Sequence, residues 1–182
     1  MYIEETPIEG LKIITPSIFG DERGFFMESF HQERYRKEVG IEIPLVQDNL
    51  SQSLRGVLRG LHFQKKPHEQ GKLVSVLFGS VWDVAVDIRP YSKTFGKWYG
   101  VELSDENHKQ FWIPPGFAHG FVTLKDDTIF SYKCSDFYVP DCEMGLLWDD
   151  EDIAIDWPIK KEDSILSQKD IHNISFKQYQ SL

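Results

Sequence analysis

Turn signals interrupt this chain too often for long helices to form. "GDERG", "SLRG", "FGS", "RPYSKTFG", "LSDEN", "IPPG", "KDD" and "VPDCEMG" follow one another along the sequence. The short segments between them are rich in Val, Ile, Phe, Trp and Tyr, the pattern of an all-β sandwich or barrel. The clearest strand is "VWDVAVDIR", residues 81–89, with Trp82, Val84, Val86 and Ile88 on one face and Asp83, Ala85, Asp87 and Arg89 on the other. "QFWI" (110–113) and "TIFSYKC" (128–134) read as further strands, the second placing Phe130, Tyr132 and Cys134 on one face. One helix is expected near 30–39, with Ser29 and Gln32 as a capping box and Gly40 as its stop. A length of 182 residues fits a single domain, 1–182, whose mixed helix-and-loop tail (about 158–182) packs back on the β body.

Within that pattern, "VLRGLHFQ" (57–64) poses a physical problem. Its Val, Leu and Phe predict a buried strand, yet Arg59 and His62 sit inside it, and buried charge is costly unless it is paired or bound. A lone His62 would read as a satisfied core imidazole. Arg59 three residues before it and Lys72 ten after it, in one strand–loop–strand unit, move the reading toward a site. The surroundings agree, because Arg55, Arg59, Lys65, Lys66 and Lys72 face only Glu69 over residues 55–72. Overall the chain carries a net charge of -9, which argues against a general binder of nucleic acid or membrane surfaces, so an anionic ligand needs such a local basic pocket. The acidic run at 141–156 reads as a solvated surface.

The start "MYIEETPIEG" has neither the basic region nor the apolar run of a signal peptide, and no segment approaches the roughly 18 apolar residues of a membrane helix. Cys134 and Cys142 lack CxxC spacing and are expected as reduced thiols of a cytoplasmic protein.

His119 lies in "IPPGFAHGF", and the pattern Pro114-x-Gly116-x-x-His119 is similar to the second motif of the cupin superfamily, a β jelly roll of two packed antiparallel sheets with few peripheral helices. Many cupins hold a metal with a His-x-His pair, a glutamate and this later histidine. Here the first motif is His62-x-Gln64, with only His68 and Glu69 as spare donors nearby, so the ligand set for iron or zinc is incomplete. We read the barrel as metal-free and needing no cofactor. A pocket with a histidine, a lysine, a tyrosine and arginines suits proton abstraction beside a carbonyl, which needs a base in reach and a cation on the incipient enolate oxygen. Inverting the carbon needs a second acid on the opposite face, and a tyrosine can serve.

The resemblance then becomes specific. "DERGFFMESF", "QDNLSQS", "GVLRGLHFQ", "QGKLVSVLFGSVWDVAVDIR", "IPPGFAHGF", "YKCSDFY" and "LSQKD" run from about Phe19 to Asp170 in the order found in the dTDP-4-dehydrorhamnose 3,5-epimerase family, which the chain resembles over nearly its whole length. The resemblance implies His62 as base, oriented by Asp170, with Tyr132 as the opposite-face acid and Lys72 beside the sugar ketone. It implies that Arg23, Glu28, Gln47, Asn49, Arg59, His119, Glu143 and Lys169 contact a dTDP-sugar, that Tyr138 stacks on the thymine, and that the protein is a homodimer in which an N-terminal strand crosses to the partner. Arg23 and Arg59 suit the diphosphate, since a guanidinium fork matches phosphate geometry. Phe63 stands where tyrosine is common in the family, on the side facing away from His62.

Taken singly, Tyr132 reads as a core tyrosine, Asp170 as a helix cap, and Glu28 and Glu143 as surface carboxylates; only the joint pattern raises them above that. Strand parity adds a condition. Arg59 and His62 project to opposite faces of a regular strand, so a shared pocket predicts a bulge or kink at Gly60. The rival readings are an epimerase that inverts one carbon or acts on another dTDP-keto-sugar, a metal-dependent cupin oxygenase, and a non-catalytic sugar-binding jelly roll.

Overall fold

A computed structural model describes residues 1–182. Thirteen strands alternate with turns, and every pairing between them is antiparallel. In chain order they are β1 (Tyr2–Glu5), β2 (Lys12–Thr15), β3 (Ile18–Asp21), β4 (Gly24–Met27), β5 (Gln47–Ser53), β6 (Leu58–Gln64) and β7 (Lys72–Phe78). There follow β8 (Ser80–Asp87), β9 (Trp98–Ser104), β10 (Gln110–Ile113), β11 (Phe117–Thr123), β12 (Thr128–Cys134) and β13 (Glu143–Gly145). They form a six-stranded sheet in the order β1-β2-β10-β7-β12-β5 and a five-stranded sheet in the order β13-β6-β11-β8-β9. This is the antiparallel sandwich that the turn spacing predicts, in the jelly-roll form that the cupin resemblance implies.

The core explains why so many strands are apolar on both faces. Ile13, Val74, Val76, Val81, Phe111 and Phe130 lie buried in the principal core cluster, to which both sheets contribute. A second cluster joins Leu61, Phe63, Val84, Val86 and Leu146 of the five-stranded sheet and its flank to Ile153, in the loop that follows, and to Phe176 of the tail. In β8, Trp82, Val84 and Val86 belong to this second layer while Val81 and Ala85 join the first, so the predicted alternation holds. Asp83 and Asp87 are nonetheless completely buried. The face that looks polar in the sequence is therefore an interior one, and each carboxylate has found a partner there: His119 for Asp83, and Arg89 for Asp87.

Apolar burial also holds the tail in place, each buried side chain of Phe or Ile size contributing about 1.5–3 kcal/mol. Backbone bridges pair Val57 with Ile165 and Leu146 with Ile174. Two short helices follow, α2 (Gln168–Ile171) and α3 (Phe176–Gln180), the second closed by a capping box between Ser175 and Gln178. The Tyr179 hydroxyl donates to the Ile88 carbonyl at 3.0 Å.

The helix expected near 30–39 is a single α turn, α1 (Gln32–Arg34), which widens into a π-helical turn over Tyr35–Val39 and stops at Gly40 in the left-handed region. Its cap is His31, whose Nδ1 accepts from the Arg34 N–H, and not the Ser29–Gln32 box. The Ser29 carbonyl is engaged elsewhere, accepting from the Tyr35 hydroxyl and from Gln110 Nε2. Tyr35 and Val39 bury themselves with Ile14, Leu73 and Trp112, and that packing sets the wider turn.

β3 and β4 stand apart as a two-stranded ribbon with Phe19, Phe25 and Phe26 all more than half exposed. Both cysteines are free thiols. No helix is long and apolar enough to cross a membrane.

Candidate active site

The site is aimed by a bulge in β6. Along the β6–β11 ladder, His62 faces His119 and Arg59 faces Phe121, so three residues of β6 span two of β11. The extra residue falls at the predicted Gly60, which has φ +132°. A Cβ there would stand 2.5 Å from the Gly120 Cα and 2.8 Å from the His119 carbonyl oxygen. Only glycine admits so close a crossing of two backbones. The bulge shifts the parity of β6 and lets His62 turn into the sandwich.

A cavity of about 320 Å³ opens there, lined by His62, Phe63 and Gln64 of β6, Lys72 of β7, Tyr132 and Cys134 of β12 and Gln47 and Asn49 of β5, together with Gln70, Tyr138 and Glu143. Seven of the residues singled out in the sequence thus share one cavity. A larger cleft of about 910 Å³, rimmed by Lys65, Lys66 and Lys93, shares only Phe63, Gln64 and Gln70 with it and contains none of the converging titratable groups.

His62 is half-buried and its Nε2 lies 2.6 Å from Asp170 Oδ1. Asp170 is brought by α2 and is 3% exposed. Burial by itself raises the pKa of such a carboxyl, but the hydrogen bonds from His62 and Ser167 outweigh it and hold Asp170 below the usual carboxylate range. An ionised Asp170 fixes the imidazole tautomer and leaves Nδ1 as the free nitrogen, the arrangement of a general base.

Lys72 reaches into the same cavity, its Nζ 3.5 Å from the His62 carbonyl oxygen. Desolvation depresses its pKa, offset in part by the nearby acidic groups, Asp83 and Glu143 among them. Tyr132 is shifted upward, chiefly by burial, so near neutral pH it is a protonated phenol, an acid and not a base. His62 belongs to the five-stranded sheet and Tyr132 to the six-stranded one. Imidazole and phenol therefore approach the cavity from opposing walls.

The remaining predicted residues sit around this centre. Tyr138 donates its hydroxyl proton to Glu143 Oε2 at 2.6 Å, and Glu143 also pairs with Lys169. Burial raises the Glu143 pKa, but these two partners more than compensate and keep it low. Lys169 and Asp170 are neighbours on α2, so one short helix supports both the dyad and the Glu143 rim. Arg59 is exposed and binds Ser53 Oγ at 3.2 Å, close enough for its field to bear on Tyr132. His119 does not line the cavity; it is buried behind it with Nε2 2.9 Å from Asp83 Oδ2, and desolvation depresses its pKa while raising that of Asp83.

Arg23 and Glu28 are not brought to the cavity of their own chain. Arg23 pairs with Asp21 at the tip of the exposed ribbon, and Glu28 pairs with Arg34 at 3.0 Å. Sequence reasoning missed Asp83, although its place on the Ala85 face of a buried strand was a signal. It also missed Gln64, whose side chain donates to the carbonyls of His68 and Phe137 and accepts from Val139, tying together the loops on either side of Tyr138.

Comparison with known proteins shows the family. The sequence profile of the dTDP-4-dehydrorhamnose 3,5-epimerase family matches residues 5–178. The chain is 53% identical over 176 residues to the dTDP-4-dehydrorhamnose 3,5-epimerase of Shigella flexneri, covering 97% of this chain and 96% of that one. It superimposes with a TM-score of 0.92, at 55% identity, on a Legionella pneumophila dTDP-6-deoxy-D-glucose-3,5-epimerase solved with dTDP-4-keto-L-rhamnose, covering 96% of this chain and 92% of the other. It is also similar, at 33% identity and TM-score 0.90 over 97% of this chain and 88% of the other, to ChmJ, a 3'-monoepimerase of Streptomyces bikiniensis solved with dTDP-quinovose. With the family profile, these relatives and the fold in agreement, the chain belongs to the dTDP-4-dehydrorhamnose 3,5-epimerase family.

Proposed function

We propose that the protein inverts C3 and C5 of dTDP-4-dehydro-6-deoxy-D-glucose, giving dTDP-4-dehydro-L-rhamnose, a step of dTDP-L-rhamnose biosynthesis in the cytoplasm. The observation that carries this reading is the placement of His62 and Tyr132 on opposing sheets of one cavity, with Lys72 on β7, the strand beside that of Tyr132. Both carbons adjoin the C4 ketone, so removing either C–H proton gives an enolate whose oxygen the Lys72 ammonium stabilises. His62 takes the proton on one face and Tyr132 returns one on the other. The imidazolium then loses its proton, and the phenolate regains one, by exchange with solvent. The ring reorients between steps, so one acid–base pair serves both centres.

In this reading Gln47, Asn49, Arg59, Tyr138, Glu143 and Lys169 form the shell around the nucleotide-sugar, with Tyr138 against the thymine and His119 behind the cavity wall. Arg23 and Glu28 come from a second copy of the chain. The exposed cross-strand pair Phe19–Phe26, on a ribbon outside both sheets, makes an apolar face suited to docking, and Arg23 sits at the ribbon's tip. The protein is then a homodimer whose ribbons cross.

The test is incubation with the dTDP-keto-sugar in D2O, followed by proton NMR. Wild-type protein should incorporate deuterium at C3 and C5, and His62→Ala should incorporate none. Persistent exchange in that variant would remove His62 as the base. The likeness to ChmJ supports inversion at one carbon only as a second reading. Exchange and inversion confined to C3 would decide for it.

A further inference from the structure

The Asp170 carboxylate has two oxygens, and the structure gives them different work. Oδ1 of Asp170 faces His62 Nε2 at 2.6 Å and also accepts weakly from the Gly60 N–H at 3.4 Å. Oδ2 accepts from the Ser167 hydroxyl at 2.7 Å, while the same hydroxyl oxygen accepts from the Asp170 N–H at 3.2 Å. Ser167 thus grips residue 170 at both its backbone and its side chain. An aspartate carboxyl turns readily about its terminal bond. A donor on Oδ2 is what stops this one from turning away from the imidazole.

We propose that Ser167 is a positioning residue for the base: its hydroxyl locks the Asp170 carboxylate in the rotation that aims Oδ1 at His62. This rests on the assignment of His62 as base. Ser167 itself lies at the surface, so truncating it opens no core cavity. Its other role, capping α2, can be separated from the positioning role by choice of substitution.

The charged and titratable groups around the dyad are Lys72 on β7, His119 on β11, Glu143 on β13 and Lys169 on α2. None of them touches Oδ2, so the serine is the group whose loss that oxygen registers. A carboxylate that loses a hydrogen-bond donor becomes easier to protonate, and the imidazole it faces is held less well oriented. The acid limb of the pH–kcat profile should therefore move to higher pH.

Three variants decide the matter. Ser167→Ala should lower kcat by about 10- to 100-fold, the worth of a hydrogen bond to a charged group, with KM changed less than about twofold. Ser167→Thr keeps the hydroxyl and should restore both kcat and the acid limb. Ser167→Asp keeps a good helix cap but donates nothing to Oδ2, and should be no more active than the alanine variant. Wild-type kcat and pH profile in Ser167→Ala, or wild-type activity in Ser167→Asp, would overturn the proposal. The His62 ring resonances in the NMR spectrum of Ser167→Ala should also shift, a readout independent of turnover. If those resonances shift while His62→Ala still exchanges protons, the base assignment has failed and the positioning has not.

Discussion

Replacing Gly60 with alanine tests how the fold aims the base. The new Cβ would stand 2.5 Å from the Gly120 Cα and 2.8 Å from the His119 carbonyl oxygen, both backbone atoms with no flexible side chain to yield. Ordinary contact needs about 1 Å more, so β6 and β11 must part at the bulge. Forcing a non-glycine residue to φ +132° adds strain of about 1–3 kcal/mol, and the overpacking costs a further 1–3 kcal/mol, roughly. For a chain of this size the melting temperature should fall by about 5–20 °C, leaving the protein folded at 25 °C.

The functional loss should be larger. A displacement of about 1 Å at His62 disturbs its 2.6 Å hydrogen bond to Asp170, and misplacement on that scale costs about 100-fold in rate. Gly24→Ala is the matched control, because Gly24 has φ +125° but open space where a Cβ would go. The assays are thermal unfolding followed by circular dichroism, and deuterium exchange into substrate. If Gly60→Ala lost no more stability than Gly24→Ala and exchanged protons at the wild-type rate, the close crossing would not be what aims His62.

Asp87 offers a test of pH dependence. Burial tends to raise its pKa, but Arg89, Ser92 and Thr94 all donate to it and bring it down to about 2. Because the folded pKa lies below the unfolded one, its stabilisation is present at neutral pH and is lost as the pH falls from about 4 toward 2, amounting to about 2 kcal/mol at pH 7. Asp87→Asn should therefore lower the urea midpoint at pH 7, and the gap from wild type should narrow below pH 4; a gap independent of pH would contradict the assignment. The proposed crossing of the ribbons between two copies predicts subunit complementation. Arg23→Ala and His62→Ala, each inactive alone, should recover about a quarter of wild-type activity when unfolded together and refolded, since half the dimers are mixed and each holds one intact site. No recovery would place Arg23 outside the partner's site.

How much of this was legible in the sequence depended on whether the relevant force was local. Turn residues and short apolar runs act locally, so the strand-rich sandwich and the alternation of residues 81–88 could be read directly. The Gly60 bulge was legible for a different reason, since placing Arg59 and His62 in one pocket contradicts strand parity and demands an extra residue. The ion pairs that bury Asp83 and Asp87 were not legible, because their partners, His119 and Arg89, are assigned by strand pairing and loop closure, which composition does not reveal. The capping box at Ser29 failed because Tyr35 and Gln110 claim its carbonyl, a tertiary demand that outweighed the local one. The meeting of Asp170 with His62 across 108 residues was visible only through resemblance to a family. Arg23 and Glu28 lie away from their own chain's cavity, and nothing in one copy's sequence says to which copy they belong.

The central claim is that a base and an acid face one sugar carbon from opposite sheets, and Tyr132→Phe tests it most directly. With substrate in D2O, the variant should still bind the dTDP-sugar and wash deuterium into C3, because His62 can remove a proton and return a deuteron on the same face, but inversion should fall by at least about 100-fold. Inversion at the wild-type rate without the phenol would show that the proton reaches the opposite face by some other route.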